Sequence, residues 1–266
     1  MKKSLALLNL ISIILVIGIN YIAQVLRLND TTIGEVSGQY NSLFTPAGYA
    51  FSIWGLIYLG LLCYAIFQIR RAFFSAKSSD FIAKTGYWFL LANVLNASWV
   101  VAFSYNYIGL SVLLMLGILF ALIKIILNTN MERWDAPIAI IAFVWWPICI
   151  YSGWIAVATI ANVAIYLTKI GWNGSFLTPE TWTIIMLITA TILNLLMIWK
   201  RNMREFALVG IWALIAIYFK QKPAYATIAN TAMIGSIILI INVCIHAFKN
   251  RKTNPLQKLL ERSSES

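Results

Sequence analysis

The sequence has little charge. Only 11 % of its 266 residues are Asp, Glu, Lys or Arg, whereas about 25 % is usual in a soluble domain. Hydrophobic residues make up 61 %, and the mean hydropathy is +0.81. This composition excludes an ordinary soluble domain and indicates an integral membrane protein. The net charge is +11, but nothing in the sequence resembles the basic groove of a soluble nucleic-acid binder. We therefore expect no nucleic-acid partner and attribute this charge to orientation in the membrane and to anionic headgroups.

Residues that bind metals or carry out catalysis are also scarce. Cys63, Cys149 and Cys244 lie in apolar runs without CxxC spacing, so we expect small buried residues, with no disulfide framework and no metal site. His246 is the only histidine and has no second ligand near it in the sequence, so we expect a structural or interfacial role for it. No P-loop, His-Glu-x-x-His or GxSxG motif occurs, and no Asp or Glu falls within an apolar run. These absences disfavour energised transport and hydrolytic catalysis.

Eight apolar runs are bounded by charged residues, and most are close to the ~20 residues that cross a bilayer as a helix. They are Ser4–Leu26, Pro46–Ile69, Gly86–Tyr105, Ile108–Leu127, Phe143–Thr168, Thr181–Trp199, Phe206–Phe219 and Ala224–Phe248. The first run has no clear cleavage site and is interpreted as a membrane span rather than a signal peptide. The residues before the fifth run, Pro137–Val144, are interpreted as an approach segment at the cytoplasmic face.

The basic residues predict the orientation of these eight spans. An even number of spans places both termini on one side, and that side holds all but four of the 20 lysines and arginines. The four on the other side are Arg27, Lys169, Lys220 and Lys222. Because cytoplasmic loops carry the excess of Lys and Arg, we predict that both termini are cytoplasmic. The expected location is a bacterial plasma membrane, with membrane lipids as partners.

Aromatic and amide side chains form stripes on three of the predicted helices. In each stripe most residues recur at intervals of three or four, so they share a helical face. The stripes are Tyr49, Trp54 and Tyr58; Asn96, Trp99 and Phe103; and Tyr151, Trp154, Ala158 and Asn162. Intramembrane asparagines need hydrogen-bond partners and should point into the bundle. We therefore expect the stripes to converge on one cavity, with Ala158 and Gly153 leaving room between the rings.

The segment Pro46–Tyr58 resembles the second helix of the TspO/MBR family, the tryptophan-rich sensory or translocator proteins. That helix opens with Pro-Pro-Gly-Trp-x-Phe-Gly-x-x-Trp and ends in Leu-Tyr, whereas Ala47, Tyr49 and Ser52 replace Pro, Trp and Gly here. The family's third helix carries Leu-Asn-x-x-Trp and then Phe, and its fifth carries Tyr-x-x-Trp followed by Ala and Asn. The residues that match are Leu95, Asn96, Trp99, Phe103, Tyr151, Trp154, Ala158 and Asn162. The chain is similar to an extended, divergent member of this family.

The resemblance implies an all-α membrane protein with a TspO-like five-helix bundle over residues 1–168. Three additional transmembrane helices would occupy residues 169–250, and a cytoplasmic basic tail residues 251–266. The resemblance also implies a receptor, sensor or carrier for a flat hydrophobic ligand, either a porphyrin or haem-type tetrapyrrole or a sterol or lipid. The ligand would bind beneath the loop that joins the first two helices, against the ten residues of the three stripes. No cofactor is required, since porphyrin or haem would be the ligand.

Two other functions remain open at this stage. Bacterial members of the family are linked to light- and oxygen-dependent porphyrin breakdown by tryptophans at the positions of Trp54 and Trp154, which would make the protein an enzyme. Alternatively, the three added helices would build the path of a passive small-molecule transporter. The absence of catalytic motifs favours a protein that binds its ligand without being an enzyme.

Two weaker patterns concern lipids and self-association. The residues Val163, Tyr166 and Lys169 fit a proposed sterol-contact pattern, although an interfacial Tyr and Lys are common without a sterol. Gly117 with Ala121, and Ala232 with Ser236, are pairs of small residues four apart that permit close helix contact. Such pairs are compatible with a homodimer but do not establish one.

Overall fold

The computed structural model describes residues 1–172 and 174–250, so the predicted basic tail lies outside the described residues. The described chain is helical and contains no strand. It has eight long helices, one for each predicted apolar run. They are α1 (Lys2–Val25), α2 (Ile53–Phe73), α3 (Trp88–Ser104), α4 (Ile108–Asn128), α5 (Trp146–Lys169), α6 (Pro179–Arg201), α7 (Arg204–Gln221) and α8 (Ala226–Lys249).

Six helical segments in the described residues are long and apolar enough to cross a membrane, which identifies an integral, multi-pass membrane protein. They are Lys2–Val25, Gly48–Phe73, Ile108–Asn128, Ile138–Lys169, Pro179–Arg201 and Ala226–Lys249. Helix α3 is apolar but shorter, with 17 residues. Helix α7 has 18 residues and carries charges at both ends. Eight spans with both termini in the cytoplasm therefore stay a prediction.

Helix α5 is preceded by further helix, which covers the predicted approach segment from Ile138 onward. A short α-turn at Ile138–Ile140 leads into a π-helical turn at Ile141–Trp145, in which the Trp146 N–H donates to the Ile141 carbonyl. Pro147 follows at the start of α5 and has no N–H to donate. A wider π-turn accommodates this loss without ending the helix. The helical segment consequently runs from Ile138 to Lys169.

Helices α1 to α5 form a closed bundle. Helix α1 packs between α2 and α3, α4 packs against both α3 and α5, and α5 closes the bundle against α2. Buried polar contacts fix α1 in place. The Asn9 amide donates to the Gln68 side-chain oxygen of α2 over 2.8 Å, and the Asn93 amide of α3 donates to the Ser12 hydroxyl over 2.9 Å. Hydrogen bonds between membrane helices select their register because each lost partner leaves a buried polar group.

Helices α6, α7 and α8 pack on one another, and α7 also packs along α5. Gly153 of α5 makes this close approach. A Cβ atom at Gly153 would lie 2.8 Å from the Phe206 carbonyl oxygen of α7 and 3.1 Å from the Cβ of Val209. The expectation that Gly153 leaves room between the aromatic rings is therefore wrong. Its open side is occupied by the backbone of α7.

Helix α7 also holds the residues that lead into α2. The Gln221 amide donates to the Leu43 carbonyl over 2.7 Å, and the Trp212 indole donates to the Ala50 carbonyl over 3.1 Å. Between them, the Ala47 N–H donates to the Ala216 carbonyl over 3.3 Å. We call residues 43–50 the entrance segment. A five-residue 3₁₀ turn, Gly48–Ser52, completes the connection to α2.

Candidate ligand site

Trp54 is at the centre of an aromatic cluster formed by α2, α3 and α5. Its ring stacks on Tyr58 with 5.2 Å between centroids and lies 6.1 Å from Trp99. It also lies 6.1 Å from Tyr151 and 6.4 Å from Trp154, in both cases edge to face. Such offset and perpendicular arrangements are the favourable ones for aromatic pairs. The three helical stripes therefore meet around one indole.

An asparagine joins the two tyrosines of this cluster. The Asn96 amide donates to the Tyr151 hydroxyl over 2.8 Å, and the Tyr58 hydroxyl lies 3.4 Å from the Asn96 side-chain oxygen. Asn96 and Tyr151 are fully buried. The Asn96 side chain thus bonds one hydroxyl of α2 and one of α5. These bonds hold α2, α3 and α5 in register at the depth of Trp54.

The second buried asparagine, Asn162, has two partners. Its side-chain oxygen accepts a hydrogen bond from the Trp99 indole over 3.1 Å, and its amide donates to the Ser111 hydroxyl of α4 over 2.9 Å. Trp99 in turn stacks on Phe103 with 5.2 Å between centroids. Ser111 was not singled out from the sequence. A serine at the fourth position of an apolar helix carries no distinctive signal.

A small cavity lies beside the cluster. Its volume is about 20 Å³, which is room for roughly one water molecule. Six of its lining residues were predicted from the stripes: Trp54, Trp99, Phe103, Trp154, Ala158 and Asn162. Ser37 and Pro46 close it from the loop between α1 and α2. In this conformation the cavity does not hold a ligand the size of a macrocycle.

Two of the residues that line this cavity, Trp54 and Trp154, have indole N–H groups without a partner. The Nε1 atoms of Trp54 and Trp154 are both buried, and neither has a hydrogen-bond acceptor among the described residues. A buried donor without a partner costs about 1–3 kcal/mol. Most buried polar groups in folded proteins are satisfied, so two such donors on one cavity mark a place where an acceptor would be favourable.

The cavity is covered by a short helix, Ile33–Gln39, which we call the cover helix. It begins with a capping box in which the Thr32 hydroxyl accepts from the Glu35 N–H and the Glu35 carboxylate accepts from the Thr32 N–H. Arg27 donates to the same carboxylate over 2.8 Å. The Thr32 N–H and then the Arg27 charge hold the pKa of Glu35 below its ordinary value. Ser37 of this helix lines the cavity.

Nine of the ten residues predicted from the stripes lie in this one cluster or on its cavity wall. The exception is Tyr49. Its side chain is 46 % exposed and packs edge to face on Trp212 of α7, with 5.4 Å between ring centroids. Tyr49 therefore lies on the outer side of the entrance segment. It stands five positions before Trp54, an interval that does not keep two residues on one helical face, and it lies in a 3₁₀ turn that rotates each residue further than an α-helix does.

The residues of the sterol-contact pattern are spread over one end of α5. Val163 and Tyr166 are half-buried, and Lys169 is exposed. The Tyr166 ring packs against Gly109: a Cβ atom built on that glycine would lie 3.2 Å from the ring. The Lys169 ammonium donates to the Asn106 carbonyl over 2.6 Å. This end of α5 is thus joined to the loop before α4, and a sterol contact there stays a prediction.

The cysteines and the histidine differ in their surroundings. Cys149 is buried and Cys63 half-buried, whereas Cys244 is exposed on α8, so the expectation of burial is wrong for Cys244. His246 is buried, packs edge to face on Trp199 at 5.4 Å, and lies 3.2 Å from the side-chain oxygen of Asn202. These contacts join the ends of α6 and α8.

Comparison with known proteins gives one family. A family model described as TSPO-like protein matches residues 6–245, which extend from α1 into α8. The matched range runs through both the predicted five-helix part and the three helices that follow it. No curated protein and no solved structure matches the chain significantly.

Proposed function

Because the chain belongs to the TSPO-like protein family, we propose that it is a membrane receptor, sensor or carrier that binds a flat hydrophobic ligand at the Trp54 cluster. The ligand class is a porphyrin or haem-type tetrapyrrole, or a sterol or lipid. The observation that supports this most directly is the pair of buried, unpartnered indole donors of Trp54 and Trp154 on a shared cavity. A carboxylate of a tetrapyrrole or the hydroxyl of a sterol would supply the missing acceptor.

The aromatic surroundings suit a flat molecule. Trp54, Trp99 and Trp154 present indole faces and edges at one cavity, and such rings stack favourably on an extended π-system. Ala158 also lines the cavity, with a small side chain. The cavity of about 20 Å³ is far below the ~300–1,000 Å³ of typical ligand pockets. Binding therefore requires the cover helix or the entrance segment to move away from the aromatic cluster.

This proposal can be tested by titration of the purified full chain in detergent with protoporphyrin. We expect a shifted Soret band and quenched tryptophan fluorescence. The double variant Trp54→Phe, Trp154→Phe keeps aromatic rings but removes both donors, and should weaken binding about 10-fold or more, since each hydrogen bond contributes about 0.5–1.5 kcal/mol. Trp172→Phe is the matched control, because Trp172 lies in the loop after α5, away from the cavity.

Unchanged binding by the double variant would rule out the Trp54 cluster as the site. A competing titration separates the ligand classes: displacement of bound porphyrin by a sterol would place both in one pocket, and saturable sterol binding without porphyrin binding would select the sterol.

Light-driven porphyrin breakdown is a second candidate. The edge-to-face pair of Trp54 and Trp154, 6.4 Å between centroids, would bring two oxidisable rings close to a bound photosensitiser, with molecular oxygen as the oxidant. Illumination in air with product analysis tests it. An open-chain product that forms only with protein and is lost in the double variant supports the enzyme. Equal porphyrin loss without protein removes this candidate.

A further inference from the structure

Three side chains that could bind a metal converge at the end of the bundle where α5 and α7 begin. They are Glu132 from the loop after α4, Cys149 from the first turn of α5, and Glu205 from the first turn of α7. One ligand atom of each residue lies within 4.8 Å of the other two. No local pattern in the sequence points to this group, because its residues come from three separate elements.

The group is partly withdrawn from solvent, and the positive charge of Arg204 acts on both glutamates without forming an ion pair with either among the described residues. Cys149 is fully buried, and the Oε2 atom of Glu205 is buried without a hydrogen-bond partner. Among the described residues, the ion pairs within 4.0 Å are Lys2–Asp80 and Arg27–Glu35, so neither Glu132 nor Glu205 is paired with a lysine or arginine. A carboxylate oxygen that is withdrawn from water and has no partner, as Oε2 of Glu205, is costly. A cation between the two carboxylates would supply that partner.

The nearby arginine Arg201 does not fill this role. Its guanidinium is directed to backbone carbonyls, at 3.3 Å from that of Ile126 and 3.4 Å from that of Met131. These bonds fix the loop that carries Glu132 against the end of α6. They leave the two carboxylates and the thiol facing one another.

We propose that Glu132, Cys149 and Glu205 bind a divalent transition-metal ion of the Zn²⁺ class. A thiolate with two carboxylates suits Zn²⁺, whereas Ca²⁺ and Mg²⁺ take oxygen ligands. Zinc binds sulfur at about 2.3 Å and carboxylate oxygen at about 2.0–2.2 Å, so ligand atoms around it lie roughly 3.5 Å apart. Small rotations of the two glutamate side chains would close the present separation to that value.

The ion has a route to the site. Glu132 and Glu205 line a cavity of about 260 Å³ that is also bordered by Asn202 and His246. Three protein ligands leave the fourth position of a tetrahedral ion for water or a small anion from this cavity. The three ligands come from the loop before α5, from α5 and from α7. The ion would therefore join the five-helix bundle to the helices that follow it, and would stabilise the folded chain by mass action.

The test uses the full chain in detergent after treatment with a chelator. We expect one equivalent of Zn²⁺ to bind by calorimetry and to raise the melting temperature. Co²⁺, as a spectroscopic substitute, should give the near-ultraviolet charge-transfer band of thiolate ligation. Cys149→Ser should lose that band, and Glu205→Gln and Glu132→Gln should each weaken Zn²⁺ binding about 10-fold or more. Cys244→Ser and Glu180→Gln, at exposed positions, are the matched controls and should behave as the unmodified chain.

The proposal is overturned if the unmodified chain binds no Co²⁺ or Zn²⁺, or if the Co²⁺ band survives Cys149→Ser. It is also overturned if Zn²⁺ raises the melting temperature of the unmodified chain and of the Glu132→Gln, Glu205→Gln double variant equally. Because replacement of a buried cysteine can impair folding, the glutamate variants, compared with the unmodified chain without metal, provide the independent measurement.

Discussion

The indole of Trp99 on α3 donates a hydrogen bond to the side-chain oxygen of Asn162 on α5 over 3.1 Å. Both residues are buried, and the same asparagine donates to Ser111 on α4. One amide therefore joins three helices beside the cavity. Loss of this junction should therefore lower the stability of the helix bundle.

The first prediction concerns this junction. Asn162→Ala removes the acceptor of the Trp99 indole and the donor to Ser111, so it should lower the free energy of unfolding by about 1–3 kcal/mol. Asn128→Ala, at the exposed end of α4, should change it by less than about 0.5 kcal/mol. Unfolding in mixed detergent, followed by circular dichroism, measures both. Equal stability of the two variants would contradict a stabilising role for Asn162.

The second prediction compares two glycines. Gly153→Ala places a Cβ atom 2.8 Å from the Phe206 carbonyl oxygen and should destabilise the chain by about 1–3 kcal/mol, because α7 has to move away from α5. Gly55→Ala meets no atom within 4 Å, and should be neutral or stabilising by up to about 1 kcal/mol through helix propensity. The measurement is thermal melting of each variant. A neutral Gly153→Ala would show that the α5–α7 contact is loose.

The third prediction concerns the entrance segment. Gln221→Leu removes the bond to the Leu43 carbonyl, and amide hydrogen exchange at residues 43–50 should become faster by roughly fivefold, since a single hydrogen bond contributes about 1 kcal/mol. Phe219→Leu, on an exposed side of the same helix, should leave the exchange rates unchanged. Hydrogen exchange read by mass spectrometry reports both. Unaltered exchange in Gln221→Leu would mean that other contacts hold the segment.

The fourth prediction concerns acid and the cover helix. The pKa of Glu35 is lowered from an ordinary value of 4.5 by the Thr32 N–H and by Arg27. The capping contribution is therefore present above pH 4.5 and is lost as the pH falls through the lower, folded-state pKa. Exchange protection of Ile33–Gln39 should fall in that acidic range. In Glu35→Gln the exchange protection of this helix should be weaker at neutral pH and should not change with pH. Glu180→Gln, in the first turn of α6, should retain the acid dependence.

The sequence predicted the helices well because charged residues bound the apolar runs. Each of the eight runs overlaps one long helix, and the spacing of Trp99 and Asn162 on their own helices was enough to predict that both face inward. This succeeds because helical geometry is local, so the side on which a residue lies follows from its neighbours three and four positions away.

Contacts between distant parts of the chain could not be predicted from the sequence. Gly153 was identified as a small residue, but smallness does not say whether a ligand or another helix occupies the space. Tyr49 was misplaced because it stands five positions before Trp54, outside the intervals of three and four, and lies in a 3₁₀ turn. Glu132 and Glu205 are separated by two helices, and no periodic pattern connects them. Such relationships depend on how the helices pack, which no local pattern contains.

The hydrogen bond from Gln221 to Leu43 also has a consequence for the order of assembly. Its two residues are 178 positions apart, and α7 is the last helix but one in the described chain. A membrane protein is synthesised from its N-terminus, so the aromatic cluster of α2, α3 and α5 is inserted well before α7 exists. During that interval the entrance segment lacks its three bonds to α7. The nascent cavity is therefore less firmly covered than the finished one.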